Sequence, residues 1–173
     1  DLGMINCDEP FTKLIHQGTI TNQGAKMSKS KGNVVNPDDF ISIYGADVFR
    51  MYLMFMGQYD LGGDWSDKGI VGVERFVQRI YTICENRKGL ASEVSSVVKL
   101  DISKLNDAEK NVYRKINQSI SKYEKEIENF RFNTTIALLM EALNIIHDNI
   151  NGCSKEVQLY VLERFIAMVS PVG

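Results

Sequence analysis

Residues 26–33 read Lys-Met-Ser-Lys-Ser-Lys-Gly-Asn, and no other stretch constrains the fold and the chemistry of the chain as strongly. Three lysines and two serines fall within six residues, and a Gly-Asn pair, which favours a turn, follows them. Such a loop is suited to holding a polyphosphate, because lysine is a mobile point charge and hydroxyl groups donate hydrogen bonds. Short basic runs are more often plain solvated loops, so composition alone does not decide between these interpretations.

The residues that follow the loop narrow the choice. Residues 37–38 read Pro-Asp, residues 44–47 read Tyr-Gly-Ala-Asp, and residues 50–53 read Arg-Met-Tyr-Leu. In this order the elements resemble the class I aminoacyl-tRNA synthetases, whose K-M-S-K-S loop lies beside the phosphates of ATP. The specific motifs cover residues from about 10 to 81, and Phe-Asn-Thr at 132–134 is a weaker further match.

Other elements resemble the leucyl members of that family. Residues 64–67 read Asp-Trp-Ser-Asp, and Lys31 stands where isoleucyl and valyl relatives more often have leucine. Pro-Phe at 10–11 and Gln-Gly at 17–18 fit the same interpretation. Isoleucyl, valyl and methionyl relatives remain alternatives within the class. A free-standing helical RNA-binding module with a vestigial loop is an alternative from outside it, although the intact pentamer argues against decay.

The resemblance implies a role for each residue of the pentamer. Lys29 would stabilise charge on the departing phosphates, and Lys26 would hold the loop or contact the phosphates. Ser28 and Ser30 would donate hydrogen bonds to phosphate oxygens or to the backbone of the loop, and Met27 would be a packing anchor. The implied partners are ATP with Mg²⁺ as its substrate complex, leucine, and tRNA(Leu). Neither the cysteines nor the histidines indicate a metal site.

A second ATP-binding element of the family, H-I-G-H, does not occur in these 173 residues. The only histidines are His16 and His147, which lie 131 positions apart. A nucleotide-binding parallel sheet and a leucine pocket are not predicted either. We therefore expect a fragment of a leucine-activating enzyme that has no activity by itself. We assign no acid–base role to either histidine.

Composition is that of a globular protein, with 44% hydrophobic and 24% charged residues. The net charge of −2 argues against a globally basic nucleic-acid binder, so any RNA contact must come from local patches. Cys7, Cys84 and Cys153 lie far apart and are predicted to be buried, reduced thiols. With no apolar run of membrane-spanning length and no signal peptide, a cytoplasmic location is expected.

The predicted fold is mainly α: an antiparallel helix bundle of the anticodon-binding type, preceded by a small α+β segment that carries the lysine loop. Residues 1–63 are assigned to the tail of a catalytic domain and residues 64–173 to the bundle, truncated at its end. Four long helices are expected. Ser66 is predicted to cap the first, Asn106 with Glu109 begins the second in a capping-box-like arrangement, the third begins near Asn133, and the fourth begins at Ser154.

Shorter elements are predicted in the first part of the chain. They comprise a helix at 10–15, strands at 18–21 and 33–35, helices at 37–44 and 46–56, and a loop at 57–63. Residues 87–105 are read as a long connector.

Basic residues on the helices form a possible RNA-contacting face, although acidic neighbours nearly cancel many of them. Aromatic residues such as Phe76, Tyr123 and Phe165 lie on the apolar stripes and are expected to be buried rather than to stack on bases. The basic residues of this face are Arg75, Arg79, Arg87, Lys88, Lys110, Arg114, Lys115, Lys122, Lys125 and Arg131.

Overall fold

The computed structural model describes residues 3–94 and 100–173, and it shows a mostly helical chain with one small sheet near its beginning. The sheet contains strands β1 (Thr19–Asn22), β2 (Ala25–Lys26) and β3 (Gly62–Trp65) in the order β2-β1-β3. Strand β1 runs antiparallel to β2 and parallel to β3, which comes some forty residues later. The predicted combination of a dominant helical part and a small mixed segment is confirmed.

The sheet differs in detail from the prediction. Residues 10–15 form no helix and residues 33–35 form no strand, whereas Ala25–Lys26 pairs with β1. The segment read as a loop at 57–63 ends in β3. Its Gly-Gly-Asp-Trp sequence lacks the alternating apolar pattern of a strand, which is why it was missed.

Glycine at position 62 is required by the approach of β3 to β1. Gly62 has a φ of 80°, and a Cβ atom there would lie 2.1 Å from the carbonyl oxygen of Thr19. Any larger residue would therefore push the two strands apart, and strand pairing rather than strand propensity decides this element.

Seven helices follow one another in the described part of the chain, and two of them precede β3. Within the connector at 87–105 the structure shows one short helix and one 3-10 turn (Ile102–Lys104), while residues 95–99 lie outside the described residues. No helix in the described part is both long and apolar enough to cross a membrane. The helices are α1 (Pro37–Tyr44), α2 (Ala46–Phe55), α3 (Asp67–Glu85), α4 (Leu90–Glu93), α5 (Asp107–Glu128), α6 (Phe132–Asn149) and α7 (Lys155–Val169).

The predicted cap of α5 forms, whereas the predicted cap of α3 does not. Asn106 and Glu109 make the reciprocal capping box at the beginning of α5. The side chains of Ser66 and Ser154 make no capping hydrogen bond. The backbone N–H of Ser66 instead donates to the hydroxyl of Tyr52 (3.1 Å), and this hydroxyl donates to the Ser66 carbonyl (2.8 Å). At α1, Asn36 accepts a hydrogen bond from the N–H of Asp38, as expected.

The four long helices alternate in direction. Where α3 contacts α6, the residue numbers rise in the same direction along both helices, and the same holds for α5 and α7. Where α5 contacts α6, the residue numbers rise along one helix as they fall along the other. Each long helix is therefore antiparallel to the next. The contacts are Arg79 with Asn144 and Arg87 with Asn151, Glu109 with Ser154 and Asn117 with Tyr160, and Lys115 with Glu141 and Asn111 with Asn149.

One large apolar core joins these helices to the first part of the chain. Helix α2 packs against both α3 and α6, and its Met51 is fully buried. Phe76 and Phe165 are buried as predicted, whereas Tyr123 is only partly buried. The side chains at the centre of the core are Ile70, Val73, Ile116, Ile136, Leu139, Leu143, Ile146, Val157, Val161 and Phe165.

The proposed boundary between residues 63 and 64 falls inside β3, which continues to Trp65. Because α2 shares the core with α3 and α6, the two assigned segments are physically continuous at this point. The division into a catalytic tail and a bundle thus remains an assignment of function rather than a separation of two cores.

Glu109 links the beginning of α5 to the beginning of α7. Its side chain is buried, and its carboxylate accepts hydrogen bonds from the N–H of Asn106 and the N–H of Ser154, both at 2.8 Å. Burial opposes ionisation, but the N–H groups of Ser154 and Asn106 and the Ser154 hydroxyl outweigh it and lower the pKa of Glu109.

We expect Glu109→Gln to lower the free energy of unfolding by about 1–3 kcal/mol, because the amide has one acceptor oxygen and cannot serve both N–H groups. Urea denaturation at neutral pH measures this difference. The control is Glu124→Gln, at an exposed position of the same helix, which should change stability by less than about 0.5 kcal/mol.

The difference in the free energy of unfolding between wild type and Glu109→Gln should depend on pH. A carboxyl group whose pKa is lowered by folding stabilises the protein above its unfolded pKa of about 4.3, and this contribution is lost as the pH falls through the folded value. The difference between wild type and Glu109→Gln should therefore shrink as the pH falls below about 4.3. A constant difference through this range would show that the charge of Glu109 does not contribute.

Candidate functional site

The lysine loop leaves β2 and forms a single 3-10 turn over Lys29–Lys31. Lys26, Lys29 and Ser30 are exposed, whereas Met27 and Ser28 are partly buried. The turn closes at Gly32, whose φ is 66° and whose N–H donates to the Lys29 carbonyl at 3.2 Å. The loop thus presents its ammonium groups to solvent on a short, closed backbone.

The side chain of Asn33 clamps the base of this loop. Its Oδ1 accepts from the Ser28 N–H at 2.9 Å, and its Nδ2 donates to the Lys26 carbonyl at 3.3 Å. The amide therefore bridges both ends of the Met27 peptide segment, as a paired strand would. The carbonyl of Asn33 in turn accepts from the side chain of Asn22 in β1 at 3.0 Å.

Two other members of the pentamer have local contacts. Met27 packs against the apolar core, which anchors the loop from below. The hydroxyls of Ser28 and Ser30 lie 2.7 Å apart and form a hydrogen bond with each other. Either hydroxyl can turn toward a phosphate oxygen, since a hydroxyl group donates one hydrogen bond and accepts others.

Asp64, in β3, supports the hairpin that precedes the loop. Its Oδ1 accepts from the Thr21 hydroxyl at 2.6 Å and from the Gly24 N–H at 2.9 Å. Both hydrogen bonds lower the pKa of the Asp64 carboxyl, and the one from Thr21 has the larger effect. Asp64 is therefore ionised at neutral pH.

The residue after Asp64 joins this sheet to the helices. Trp65 is buried, and its ring contacts those of Phe40, Phe49 and Tyr52 at centroid distances of 4.7, 5.9 and 5.1 Å. Its indole N–H donates to Asp67 at the beginning of α3. The burial that accompanies this packing raises the pKa of Tyr52, whose hydroxyl holds the backbone of Ser66.

This arrangement can bind an anion through several cations. Lys26, Lys29 and Lys31 make no ion pair with a carboxylate among residues 3–94 and 100–173, so their charge is available to a ligand. The donor set fits phosphate oxygens rather than a bare metal ion, and the described residues hold no cluster of metal-ligating side chains.

The supporting residues were not found from the sequence. Asn33 was read only as part of a turn, and Asp64 only as a neighbour of Trp65 in a family motif. Thr21 and Asp64 lie 43 positions apart, and no local spacing indicates their contact. The histidines lie elsewhere: His16 lines a cavity with Tyr59 and Phe130, while the exposed His147 contacts Asp148. Cys7 is exposed, contrary to the expectation of a buried thiol.

Comparison with known proteins shows which class of protein these features resemble. Residues 3–64, which include the whole loop and most of the sheet, match the family model for tRNA synthetases class I (I, L, M and V). The predicted resemblance to class I aminoacyl-tRNA synthetases is therefore confirmed.

Within this class the chain resembles leucine–tRNA ligases, as the sequence indicated. It is 46% identical over 161 residues to that of Thermotoga maritima, covering 90% of this chain and 19% of the relative. It is 42% identical over 175 residues to that of Clostridium tetani, covering 99% of this chain and 21% of the relative. The chain thus spans about a fifth of the length of the curated relatives it matches. Neither the isoleucyl, valyl or methionyl alternative nor a free-standing module is favoured.

Solved structures also resemble this chain. The ternary complex of Agrobacterium radiobacter K84 agnB2 LeuRS with tRNA and LeuAMS superposes with a TM-score of 0.88 at 28% identity, covering 99% of this chain and 22% of that chain. A Mycobacterium tuberculosis methionyl-tRNA synthetase bound to methionyl-adenylate has a TM-score of 0.68 at 16% identity, covering 90% of this chain and 35% of that chain. The second likeness shows a shared fold alone.

The clamp at Asn33 can be tested in the 173-residue chain. We expect Asn33→Ala to speed exchange of the Ser28 amide hydrogen roughly fivefold, the effect of losing about 1 kcal/mol from one hydrogen bond. Hydrogen exchange followed by NMR measures this rate. The control is Asn36→Ala, which removes the hydrogen bond from the Asp38 N–H and should speed exchange there but not at Ser28. Equal Ser28 rates in all three proteins would show that the clamp does not hold the loop.

Proposed function

We propose that this chain is the part of a leucine–tRNA ligase that holds the ATP phosphates and contacts tRNA. The observation that carries the proposal is the clamped loop, whose three exposed lysines make no ion pair within the described residues, in a chain that matches leucine–tRNA ligases along nearly its whole length. In the complete reaction, leucine and ATP would form leucyl-adenylate, and the leucyl group would then pass to tRNA(Leu). ATP would enter as its Mg²⁺ complex.

The first step needs charge stabilisation more than proton transfer. The ionised carboxylate of leucine forms a bond to the α-phosphorus of ATP, and the bond from that phosphorus to the β-bridging oxygen breaks to release pyrophosphate. Negative charge increases on the departing β and γ phosphates. A lysine that meets these oxygens best in the transition state accelerates the step, and no general base is required.

The pentamer divides this work among its residues. Lys29, on the 3-10 turn, is proposed to contact the departing phosphates, and Lys26, at the end of β2, to bind the phosphates from the base of the loop. Ser28 and Ser30 would donate hydrogen bonds to phosphate oxygens, and Met27 would hold the loop on the core. The exposure of both lysines and the packing of Met27 support this division.

The helical part is proposed to be the anticodon-binding-type bundle of the family, with residues 1–63 forming the tail of the catalytic domain. The alternating directions of α3, α5, α6 and α7 support this assignment, and the similar LeuRS was solved as a complex with tRNA. We infer a cytoplasmic location, in which tRNA charging for protein synthesis would take place. The three free cysteines are compatible with a reducing compartment.

We expect Lys29→Ala, made in a full-length leucine–tRNA ligase that carries this segment, to slow leucyl-adenylate formation by roughly 10²–10³-fold. Leucine affinity should change little, because the proposed contact is with phosphate. Single-turnover ATP consumption measures the rate. The 173-residue chain alone should show no leucine-dependent exchange of ATP with pyrophosphate, since it contains no H-I-G-H element.

The control is Lys31→Ala, which removes the same charge from the same turn but lies outside the pentamer. It should slow the step much less than Lys29→Ala. A loss of less than threefold in Lys29→Ala would remove Lys29 from the chemistry, and equal large losses in both variants would indicate a general effect of loop charge.

The structure reduces the number of basic side chains available to RNA. Lys115 pairs with Glu141, and Lys88 pairs with Glu85. Arg87 is engaged by Gln158 and Asn151 through its guanidinium. Arg75 is exposed and has no ion pair within the described residues, and exposed Arg79 contacts only the amide of Asn144. These two side chains of α3 are therefore candidates for phosphate contact, as are the exposed Arg114, Lys122 and Lys125 of α5, which have no ion pair within the described residues.

We expect the isolated chain to bind tRNA only weakly, with a Kd of about 10⁻⁴–10⁻⁶ M that rises further with salt, because few phosphates are neutralised. The leucine isoacceptor should have little advantage. In the full-length protein, Arg75→Glu with Arg79→Glu should weaken binding, whereas Lys104→Glu, at a side chain already paired with Asp101, should not. Filter binding at two salt concentrations measures these affinities. Tight, salt-resistant and leucine-specific binding by the isolated chain would contradict this account.

A further inference from the structure

The hairpin that leads into the lysine loop contains a strained turn. Gln23 and Gly24 connect β1 to β2, with φ values of 55° and 71°. Two successive residues with positive φ are typical of the tight turn whose twist matches that of a hairpin. Gly24 adopts this conformation freely, but Gln23 has a Cβ atom and is strained there. Such a conformation persists only where surrounding contacts determine it.

Strand β2 is too short to hold this turn alone. It contains only Ala25 and Lys26, which pair with Asn22 and Thr21 of β1. A hairpin of this size is unstable in isolation, because few interstrand contacts offset the loss of chain entropy. The first lysine of the pentamer therefore lies on a strand whose position depends on other parts of the molecule.

Asp64 supplies that missing support from the opposite side of β1. It pairs in register with Thr21 across the parallel β1–β3 contact. A single carboxylate oxygen accepts from the Thr21 hydroxyl at 2.6 Å and from the Gly24 N–H at 2.9 Å. Asp64 thus reaches over β1 and fastens the strained turn directly.

The support is itself rigid. The next residue, Trp65, is buried among Phe40, Phe49 and Tyr52, and its indole N–H binds Asp67. Position 64 is therefore fixed to the helical core on one side and to the turn on the other. A displacement of the turn would be transmitted to Lys26 two residues later and then to Lys29.

We propose that Asp64 is a positioning residue for the phosphate-binding loop, acting through the Gly24 turn to place Lys26 and Lys29. This inference rests on the proposed function, because the loop must act on phosphate for its placement to matter. The observed contacts of the Asp64 carboxylate are with Thr21 and Gly24, so we assign it a positioning role and not a contact with substrate. It would act on the rate of the chemical step, whereas the leucine pocket should be unaffected.

The test is single-turnover formation of leucyl-adenylate in a full-length leucine–tRNA ligase that carries this segment. We expect Asp64→Ala to slow the step about 10-fold, with the KM for leucine unchanged, since small misplacements of a catalytic group are costly. Asp64→Asn should stay within about threefold of wild type, because its amide oxygen can accept from the same two donors. The control is Asp60→Ala, at an exposed side chain that makes no hydrogen bond within residues 3–94 and 100–173.

A double variant distinguishes an effect of Asp64 on the position of the lysines from a general loss of structure. If Asp64 acts by placing the lysines, Asp64→Ala should have less than about a threefold further effect once Lys29 is already alanine, because coupled residues are not additive. Full multiplication of the two losses would overturn the inference, as would a loss below twofold in folded Asp64→Ala. If Asp64→Ala does not fold, Thr21→Val can be used instead, because it removes the hydroxyl that donates to Asp64. Slowing of leucyl-adenylate formation by two- to fivefold would support the inference, and an unchanged rate would overturn it.

The outcomes also distinguish this inference from the function on which it rests. A large loss in Lys29→Ala with no loss in Asp64→Ala would leave the proposed function intact and refute the role of Asp64. No loss in Lys29→Ala would refute the assigned role of the loop, and with it the role of Asp64.

Discussion

The parallel contact between β1 and β3 is the interaction on which the rest of this structure depends. It joins residues some forty positions apart and has only four pairs in register. It fastens the hairpin carrying the lysines to the strand that leads into α3, while Met27 packs against the core. The contact needs Gly62, because a Cβ atom there would collide with the backbone of Thr19. A close approach of two backbones therefore acts together with the apolar packing of Met27 and Trp65 to place the loop on the helical part.

Charge is distributed differently in the loop and in the helices. Two basic side chains of the helices have carboxylate partners, Lys115 beside Glu141 and Lys155 beside Glu93, and exposed pairs of this kind contribute little stability. The lysines of the loop have no such partners within the described residues. Concentrated, unpaired positive charge destabilises a loop slightly through repulsion, and it is useful only when an anion arrives. In the proposed function, the phosphates of ATP would supply the missing negative charge.

The sequence predicted what local chemistry determines. Helices with strong apolar periodicity and good caps, such as α5 with Asn106 and Glu109, could be placed within a few residues. The pentamer was recognised because its residues are contiguous. Strand β3 could not be found, since Gly-Gly-Asp-Trp has neither the composition nor the alternation of a strand. The supporting roles of Asp64 and Asn33 could not be predicted, because they depend on contacts made only after the sheet forms.

These missed residues share a physical property. Asn33 and Asp64 both bind backbone N–H groups of the segment that carries the lysines, and neither competes for the lysine charge. A carboxylate placed beside Lys29 would fix the lysine but neutralise it. Fixing the backbone instead holds the position of the ammonium groups while leaving their charge and side-chain mobility free. If the loop meets departing phosphate oxygens as proposed, that combination lets the flexible lysine side chain make the final approach from a backbone held by Asn33 and Asp64.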